Sequence, residues 1–247
     1  MATNFQGKVA FVTGGSRGIG AAIVQRFADD GAAVAFTYNG SKAAAQTLVA
    51  RIRNAGGRAL ALQADVADAQ ALTRAVDDAA REFGKVDILV NNAGVFSMGN
   101  IAELELQEFE RVLNVNVRAV FVAAKAALAH MGEGGRIINI GSCNAERVPF
   151  PDFATYAMTK SALVGLVKGM ARDLGPRGIT VNNVQPGPTN TDMNPAAGEF
   201  APAMHDLMAI KRHGRPEEVA GMVAYLASEA AGFVTGASLT IDGGFNA

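Results

Sequence analysis

The stretch that decides the fold class reads Thr13-Gly14-Gly15-Ser16-Arg17-Gly18-Ile19-Gly20. It follows a short apolar run, Lys8–Thr13, that predicts a buried strand, and it opens an amphipathic stretch, Ile19–Asp30, that predicts a helix stopped by Gly31. Such a turn lets the backbone approach a pyrophosphate, and the helix N-terminus adds free N–H groups and a positive dipole end. The spacing is G-x-x-x-G-x-G rather than the common G-x-G-x-x-G, so a purely structural turn stays open as the alternative.

The same alternation of apolar runs and amphipathic helical stretches continues along the whole chain. The expected strands after the first are Ala32–Thr37, Ala59–Gln63, Val86–Val90, Arg136–Ile140, Ile179–Val184 and Leu239–Ile241. The expected helices include one capped by Ser41, a long one over roughly Leu106–Met131, another over about Phe153–Leu174, and one opened by Pro216. This order predicts an α/β fold, with a doubly wound (Rossmann) parallel seven-stranded sheet, helices on both faces and a single domain over residues 1–247. The stretch Pro188–Gly214 interrupts the pattern and is interpreted as a mobile lid over a substrate pocket, or else as an ordinary surface excursion.

Composition excludes several function classes. The formal net charge of −1 gives no basic surface for nucleic acid, and no stretch is long and apolar enough for a membrane span. Cys143 is the single cysteine, and the three histidines have no ligand spacing, so no metal site is predicted. The segment Met1–Lys8 has no apolar signal region, and we expect a cytoplasmic protein with no nucleic-acid or membrane partner.

The end of the second strand indicates which dinucleotide would bind. NAD-binding folds usually place an acidic residue there for the ribose hydroxyls, whereas this sequence reads Thr37-Tyr38-Asn39-Gly40-Ser41-Lys42. No carboxylate would repel a 2′-phosphate, and Arg17 in the glycine turn offers a fork of donors suited to one. We therefore expect NADP(H) rather than NAD; the alternative is that Arg17 is only a solvated surface charge.

Tyr156 and Lys160 form the candidate catalytic pair. They are four residues apart in an expected helix and therefore share one face. An ammonium near a phenol favours the phenolate and would lower the tyrosine pKa towards working pH, which suits a general acid or base. Ser142, directly beyond the fifth strand, could hydrogen-bond a substrate oxygen or could simply be a turn residue. Asn116 is a poor helix-interior residue, so it asks for a polar partner.

Polar turn residues follow most of the expected strands at their carboxyl ends, where ligands bind in this architecture. With these motifs together, the chain resembles the classical short-chain dehydrogenases/reductases over essentially its whole length. The matching motifs are Thr13–Gly20, Asp65-Val66, Asn91-Asn92-Ala93-Gly94, Asn116, Ser142, Tyr156/Lys160, Pro186-Gly187 and Ile241-Asp242-Gly243-Gly244.

The resemblance implies a catalytic tetrad with distinct roles. Tyr156 would exchange the proton, and Ser142 would polarise the substrate oxygen. Lys160 would bind the nicotinamide ribose and lower the tyrosine pKa, while Asn116 would hold a water of a proton relay. The implied cofactor-binding set is Gly14, Ser16, Arg17, Gly18, Ile19, Gly20, Tyr38, Asn39, Ser41, Asp65, Val66, Asn92, Ala93, Gly94, Tyr156, Lys160, Pro186, Gly187, Thr189 and Thr191.

Members similar to this chain reduce 3-oxoacyl thioesters or assorted ketones and are usually tetramers. The resemblance therefore implies a homotetrameric, NADPH-dependent reductase of a small-molecule carbonyl compound, or the same reaction run in reverse as oxidation of an alcohol. One departure is that Ser142 and Tyr156 are one residue further apart than in the acyl-carrier-protein reductases, which disfavours a fatty-acyl substrate. Cys143 is interpreted as a small buried side chain, because no histidine is placed to activate it.

A second hypothesis keeps the fold without the chemistry. The segments Gly175–Gly187 and Met208–Gly221 are similar to a bacterial subgroup that includes a proposed cyclic-dinucleotide-binding biofilm-dispersal protein. In that case Arg147, Lys211 or Arg212 would respond to the ligand phosphates. The complete tetrad favours the enzyme, since a pure binding protein has no need of it.

Overall fold

The computed structural model describes residues 4–247. Residues 1–3, which belong to the predicted domain and to the segment Met1–Lys8 predicted to have no signal region, lie outside the described residues. Seven parallel strands form one sheet in the order β3-β2-β1-β4-β5-β6-β7. The strands are β1 Val9–Val12, β2 Ala33–Tyr38, β3 Arg58–Gln63, β4 Ile88–Asn91, β5 Arg136–Ile140, β6 Thr180–Pro186 and β7 Ser238–Ile241. The helices are α1 Gly18–Asp29, α2 Lys42–Asn54, α3 Ala69–Phe83, α4 Leu106–Leu113, α5 Ala119–Leu128, α6 Ala154–Leu174, α7 Ala201–Asp206 and α8 Pro216–Ala227. The predicted doubly wound, single-domain fold is confirmed.

Two apolar layers hold the sheet between its helices. One face is buried under α1, α2 and α8, around residues such as Ile23, Phe36 and Val223. The other face is buried under α3, α5 and α6, around residues such as Leu72 and Leu89. Because β1, β4, β5 and β6 are covered on both faces, they are almost entirely buried, as parallel strands in such a fold must be.

Two of the predicted helix features are wrong in detail. Ser41 occupies the N-cap position of α2, but its side chain makes no capping hydrogen bond, because its backbone is not in the extended conformation that an N-cap needs. The single long helix expected over Leu106–Met131 is divided. A π-helical segment, Asn114–Arg118, separates α4 from α5.

The sheet brings the loops after β1, β4, β5 and β6 to one edge, which we call the carboxyl edge. Pro188–Gly214, the predicted lid, leaves this edge after β6 and contains the short helix α7. An isolated bridge between Thr189 and Gly214 joins the two ends of this segment to each other. Within residues 4–247, no helix is both long and apolar enough to span a membrane.

Candidate active site

The glycine turn is packed so tightly that two of its glycines admit no side chain. Gly14 has a φ of +65°, and a Cβ there would lie 3.1 Å from the Ala93 Cα. A Cβ on Gly20 would lie 2.3 Å from the Gly14 carbonyl oxygen and 2.5 Å from the Asn92 amide nitrogen. Close contacts between chain segments therefore fix the curvature of the turn. A backbone fixed in this way, without side chains, can approach a phosphate closely.

Hydroxyls and an amide from neighbouring strands fix the turn further. The Thr13 Oγ1 accepts from the backbone N–H groups of Asn92 and Ala93, both at 3.0 Å, and the Thr37 Oγ1 accepts from Gly14 N–H at 3.0 Å. The Asn92 Nδ2 donates to the carbonyls of Thr13 and Gly14 at 3.0 Å each. The Asn92 amide nitrogen thus holds the turn, and a contact between Asn92 and the cofactor stays a prediction. Thr13 and Thr37 were named from the sequence, but it was not predicted that their hydroxyls hold the turn.

The N-terminus of α1 carries no side-chain cap, so its first N–H groups face the turn without an acceptor from Arg17, the N-cap residue. A Cβ on Gly18 would lie 3.3 Å from the Thr191 Cγ2, so the start of the lid stands over this helix end. The Arg17 side chain is 64% exposed and makes an ion pair of 3.5 Å with the equally open Asp192. Such an exposed pair is weak, and Arg17 can exchange it for a stronger anion.

The ends of β2 and β3 also lie at this edge. The Tyr38 side chain is buried in the same apolar layer as Phe36, and a contact between Tyr38 and the cofactor stays a prediction. Asn39 is exposed and Ser41 is half-buried. The Asp65 Oδ1 accepts from Ala67 N–H at 2.9 Å, an ordinary Asx turn. Val66 packs partly against the second apolar layer.

Tyr156, Ser142 and Lys160 come together beyond β5, as their positions in the sequence predict. The Lys160 Nζ donates to the Ile140 carbonyl at 2.9 Å and lies 5.7 Å from the centre of the Tyr156 ring. Lys160 is only 5% exposed, so two of its three N–H donors remain for a ligand or water in a buried position. The Ser142 Oγ forms a hydrogen bond with the Tyr156 hydroxyl and also accepts from Asn144 N–H at 3.1 Å. Ser142 is therefore both a turn cap and a neighbour of the phenol.

Burial dominates the protonation of this pair. Burial raises the pKa of Tyr156 to about 12, against the hydrogen bond with Ser142, which lowers it. Burial lowers the pKa of Lys160 to about 8. In the chain by itself the net shift of the Tyr156 pKa is upwards rather than the expected lowering, because desolvation of the phenolate outweighs the hydrogen bond with Ser142. At neutral pH Tyr156 is a phenol with a proton to give.

The polar partner expected for Asn116 is mainly the backbone of Val95. Asn116 lies in the π-helical segment, where its Oδ1 accepts from Val95 N–H at 2.9 Å. Its Nδ2 donates to the Val95 carbonyl at 2.9 Å and to the Thr159 Oγ1 at 3.1 Å. The side chain thus joins the loop after β4 to α6, and a water-holding role is not assigned to its amide. A Cβ on Gly94 would lie 3.5 Å from both the Asn116 Oδ1 and the Lys160 Nζ, so Gly94 covers this junction.

Aromatic side chains stand beside Tyr156. The Phe96 ring meets the Tyr156 ring at 5.1 Å and the Phe153 ring at 5.0 Å, both edge-on. Phe150 lies 6.0 Å from Phe153. We call Phe96, Phe150 and Phe153 the aromatic cluster. Phe150 and Phe153 lie on the loop between Ser142 and Tyr156, whereas Phe96 lies on the loop after β4 and was not identified from the sequence.

Cys143 is buried against Met208 and Phe245, as predicted. Burial raises the pKa of its thiol to about 12, and the nearby Asp242 carboxylate raises it further. A thiol of this kind stays protonated and is a poor nucleophile.

The remaining predicted residues lie where β6 ends. Pro186 is the last residue of β6, and a Cβ on Gly187 would lie 2.6 Å from the Asp242 Cα, so Gly187 permits close packing against the chain after β7. The Thr189 Oγ1 donates to the Gly187 carbonyl at 2.9 Å.

The three cations expected to respond to a cyclic dinucleotide all have partners within the chain. Arg147 donates to the Phe245 carbonyl, Lys211 donates to the Asp206 carbonyl at 2.9 Å, and Arg212 forms a two-pronged ion pair with Glu218 at 2.7 and 2.9 Å. The arrangement therefore does not favour the binding-protein hypothesis.

Comparisons with known proteins agree with this geometry. A family model described as Enoyl-(Acyl carrier protein) reductase matches residues 14–246. The cyclic-di-GMP-binding biofilm dispersal mediator protein of Escherichia coli is 53% identical, over 98% of this chain and 99% of that one. A short-chain dehydrogenase/reductase from Serratia marcescens is 65% identical with a TM-score of 0.97, covering 98% of this chain and 99% of that one. A short chain dehydrogenase from Burkholderia cenocepacia, in complex with NADP, is 55% identical with a TM-score of 0.97, covering 99% of this chain and 100% of that one.

Proposed function

Because this chain belongs to the short-chain dehydrogenase/reductase family, we propose that it is an NADPH-dependent reductase of a ketone or aldehyde, with Tyr156 as the proton donor. One observation carries the proposal. The Tyr156 hydroxyl is protonated, the Ser142 hydroxyl is hydrogen-bonded to it, and the Lys160 ammonium lies beside its ring. All three groups lie at the carboxyl edge of the sheet, where the glycine turn also ends. Those groups can hold a carbonyl oxygen and protonate it.

The residues present fit a dinucleotide phosphate. The crowded glycine turn and the uncapped start of α1 supply backbone N–H donors for a pyrophosphate, with Thr191 above them. No carboxylate ends β2, and the Arg17 guanidinium is available in the turn, which favours the 2′-phosphate of NADP over the bare ribose of NAD. The Burkholderia relative, described as a complex with NADP, supports the same choice.

The proposed mechanism assigns one task to each side chain. Bound NADPH would supply the hydride. Ser142 donates a hydrogen bond to the carbonyl oxygen and orients it towards the Tyr156 hydroxyl. Tyr156, a phenol at neutral pH because burial raises its pKa to about 12, gives its proton to that oxygen as negative charge develops there. Lys160 then stabilises the tyrosinate by its charge, 5.7 Å from the ring centre. Asn116 acts as a positioning residue, since it holds Val95 and Thr159 on either side of Lys160.

The proposal includes the lid and a homotetramer. Pro188–Gly214 would cover the substrate, and within it a hydrogen bond of 2.7 Å joins His205 on α7 to the buried His213. Two exposed apolar surfaces would make the two-fold contacts of a tetramer. Phe121 and Met158 lie on α5 and α6, Tyr225 lies on α8, and Phe233 lies between α8 and β7. Light scattering coupled to gel filtration tests the assembly, and a monomer mass of 25.5 kDa would contradict it.

A panel of ketones and aldehydes, assayed by loss of NADPH absorbance, tests the activity. Replacing Tyr156 with Phe removes one hydroxyl and should lower kcat by at least about 100-fold, the lower range for a lost general acid, with NADPH affinity unchanged. The matched control is Tyr225→Phe on the exposed face of α8, which should retain full activity. Retained turnover in Tyr156→Phe would contradict the proposed role.

A further inference from the structure

The aromatic cluster extends beyond the groups that the reduction needs. Its rings neither donate protons nor hold phosphate, yet Phe96 makes edge-on contacts with Phe153 and with the tyrosine that we assign as proton donor. Phe96 is 38% exposed, so the same ring that touches Tyr156 also presents apolar surface to the open side of the site.

Phe96 is held in this position by its neighbours in the sequence. Val95 has both its N–H and its carbonyl bonded by Asn116, which fixes the backbone one residue before the ring. On the other side, the buried Ser97 forms a hydrogen bond with Glu108 at the start of α4. A side chain between two such anchors has little freedom, so its aromatic face is preorganised.

The second loop is tied to the first by its backbone. Gly99 N–H donates to the Asp152 carbonyl at 2.9 Å, and Asp152 adopts a φ of +69°, the one positive φ among the non-glycine residues of 4–247. This left-handed residue turns the chain between Phe150 and Phe153. The three rings therefore form one wall built from two loops that are bonded to each other.

The arginine of the same loop is engaged within the chain. Arg147 donates to the Phe245 carbonyl and lies 5.8 Å from the centre of the Phe245 ring. Edge-on contacts with ring centres about 4.5–7 Å apart are the arrangement in which aromatic rings attract one another, each pair contributing beyond simple apolar burial. A neutral aryl group adjoining the reacting carbonyl is the chemistry that such a wall recognises.

We propose that the aromatic cluster is an aryl-binding subsite and that Phe96 determines specificity for aryl ketones over saturated ketones of the same shape. The inference rests on the proposed reductase function and names its substrate class. A ketone whose ring adjoins the carbonyl would place that ring against Phe96 and Phe153 while its oxygen meets Tyr156 and Ser142.

Acetophenone and cyclohexyl methyl ketone test the inference, because they share a carbon skeleton and differ in the aromaticity of the ring. We expect the ratio of their kcat/KM values, aryl over saturated, to fall about 2- to 12-fold in Phe96→Leu, the value of one lost aromatic pair. Comparing variants cancels the intrinsic difference in reactivity of the two ketones. The control is Phe83→Leu, a half-buried ring at the far end of α3, which should leave the ratio unchanged. An equal loss for both ketones in Phe96→Leu would overturn the inference.

Binding of the same two ketones to Tyr156→Phe in the presence of NADP, measured by calorimetry, separates this inference from the proposed function. Tighter binding of acetophenone that weakens when Phe96→Leu is added supports the subsite, even if the wild-type protein turns over neither ketone. Equal binding of both ketones, before and after the second substitution, overturns it, whatever the activity.

Discussion

Replacing Lys160 with Met should stabilise the protein while it removes activity. Lys160 is 5% exposed, and burial lowers its pKa from 10.5 to about 8, which corresponds to an unfavourable contribution of about 3 kcal/mol at pH 7, since one pKa unit is about 1.4 kcal/mol. Methionine keeps most of the volume but loses the hydrogen bond to the Ile140 carbonyl, at a cost of about 1–2 kcal/mol. The free energy of unfolding should therefore rise by about 1–2 kcal/mol, a Tm increase of about 2–8 °C for a chain of this size.

The pH dependence gives the decisive measurement. Below pH 8 the lysine is charged in both the folded and the unfolded chain, so the unfavourable contribution is fully present. Between pH 8 and 10.5 only the unfolded chain keeps the proton, so the stability of the wild type rises with pH, and the advantage of Lys160→Met disappears. Tyr156 titrates in both the wild type and the variant, so its contribution cancels from the difference in their free energies of unfolding. Thermal unfolding at pH 7 and pH 10 checks this, with Lys168→Met on the exposed face of α6 as control. A variant no more stable than wild type at pH 7, or a stability gain that does not change with pH, would refute the reasoning.

Three further perturbations follow from the geometry. Arg17→Ala should weaken NADPH binding about 10- to 100-fold, the value of charge-assisted hydrogen bonds, and leave NADH binding nearly unchanged; equal losses would place the 2′-phosphate elsewhere. Gly20→Ala should destabilise the chain by about 1–3 kcal/mol and abolish dinucleotide binding, because its Cβ would lie 2.3 Å from the Gly14 oxygen; tight NADPH binding measured by fluorescence would contradict this packing argument. Calorimetric titration with a cyclic dinucleotide should give no binding heat, because Arg147, Lys211 and Arg212 are engaged within the chain; a saturable signal would revive the binding-protein hypothesis.

The fold was predictable because the strands and helices are each marked by local pattern. The buried strands appear as continuous apolar runs, and the glycines of the turn at Gly14–Gly20 mark the first βα unit. Tyr156 and Lys160 were predictable as a pair because helical spacing places them on one face.

The contacts between segments that are far apart in the chain could not be predicted from the sequence. Thr13 and Thr37 look like ordinary strand residues until the glycine turn is placed against them. Phe96 and Phe153 are 57 positions apart in the sequence, and only the folding of two loops onto each other makes them neighbours. The protonation of Tyr156 was predicted with the wrong sign because helical spacing locates the ammonium but gives no measure of how much water is removed from the phenol.

The π-helical segment Asn114–Arg118 makes this part of the chain intolerant of length changes. A π turn holds one residue more than the α-helical turn it replaces, so deleting any one of its five residues would allow an unbroken α-helix from Leu106 to Leu128. That helix would be more regular and its two halves would keep the faces they present, because one full turn replaces another, but the wide turn that places Asn116 beside Val95 would be lost. Asn116 would swing off Val95, and Phe96 would lose its anchor. A redesign that straightens the helix to increase stability would therefore displace Phe96 and disrupt the aromatic cluster.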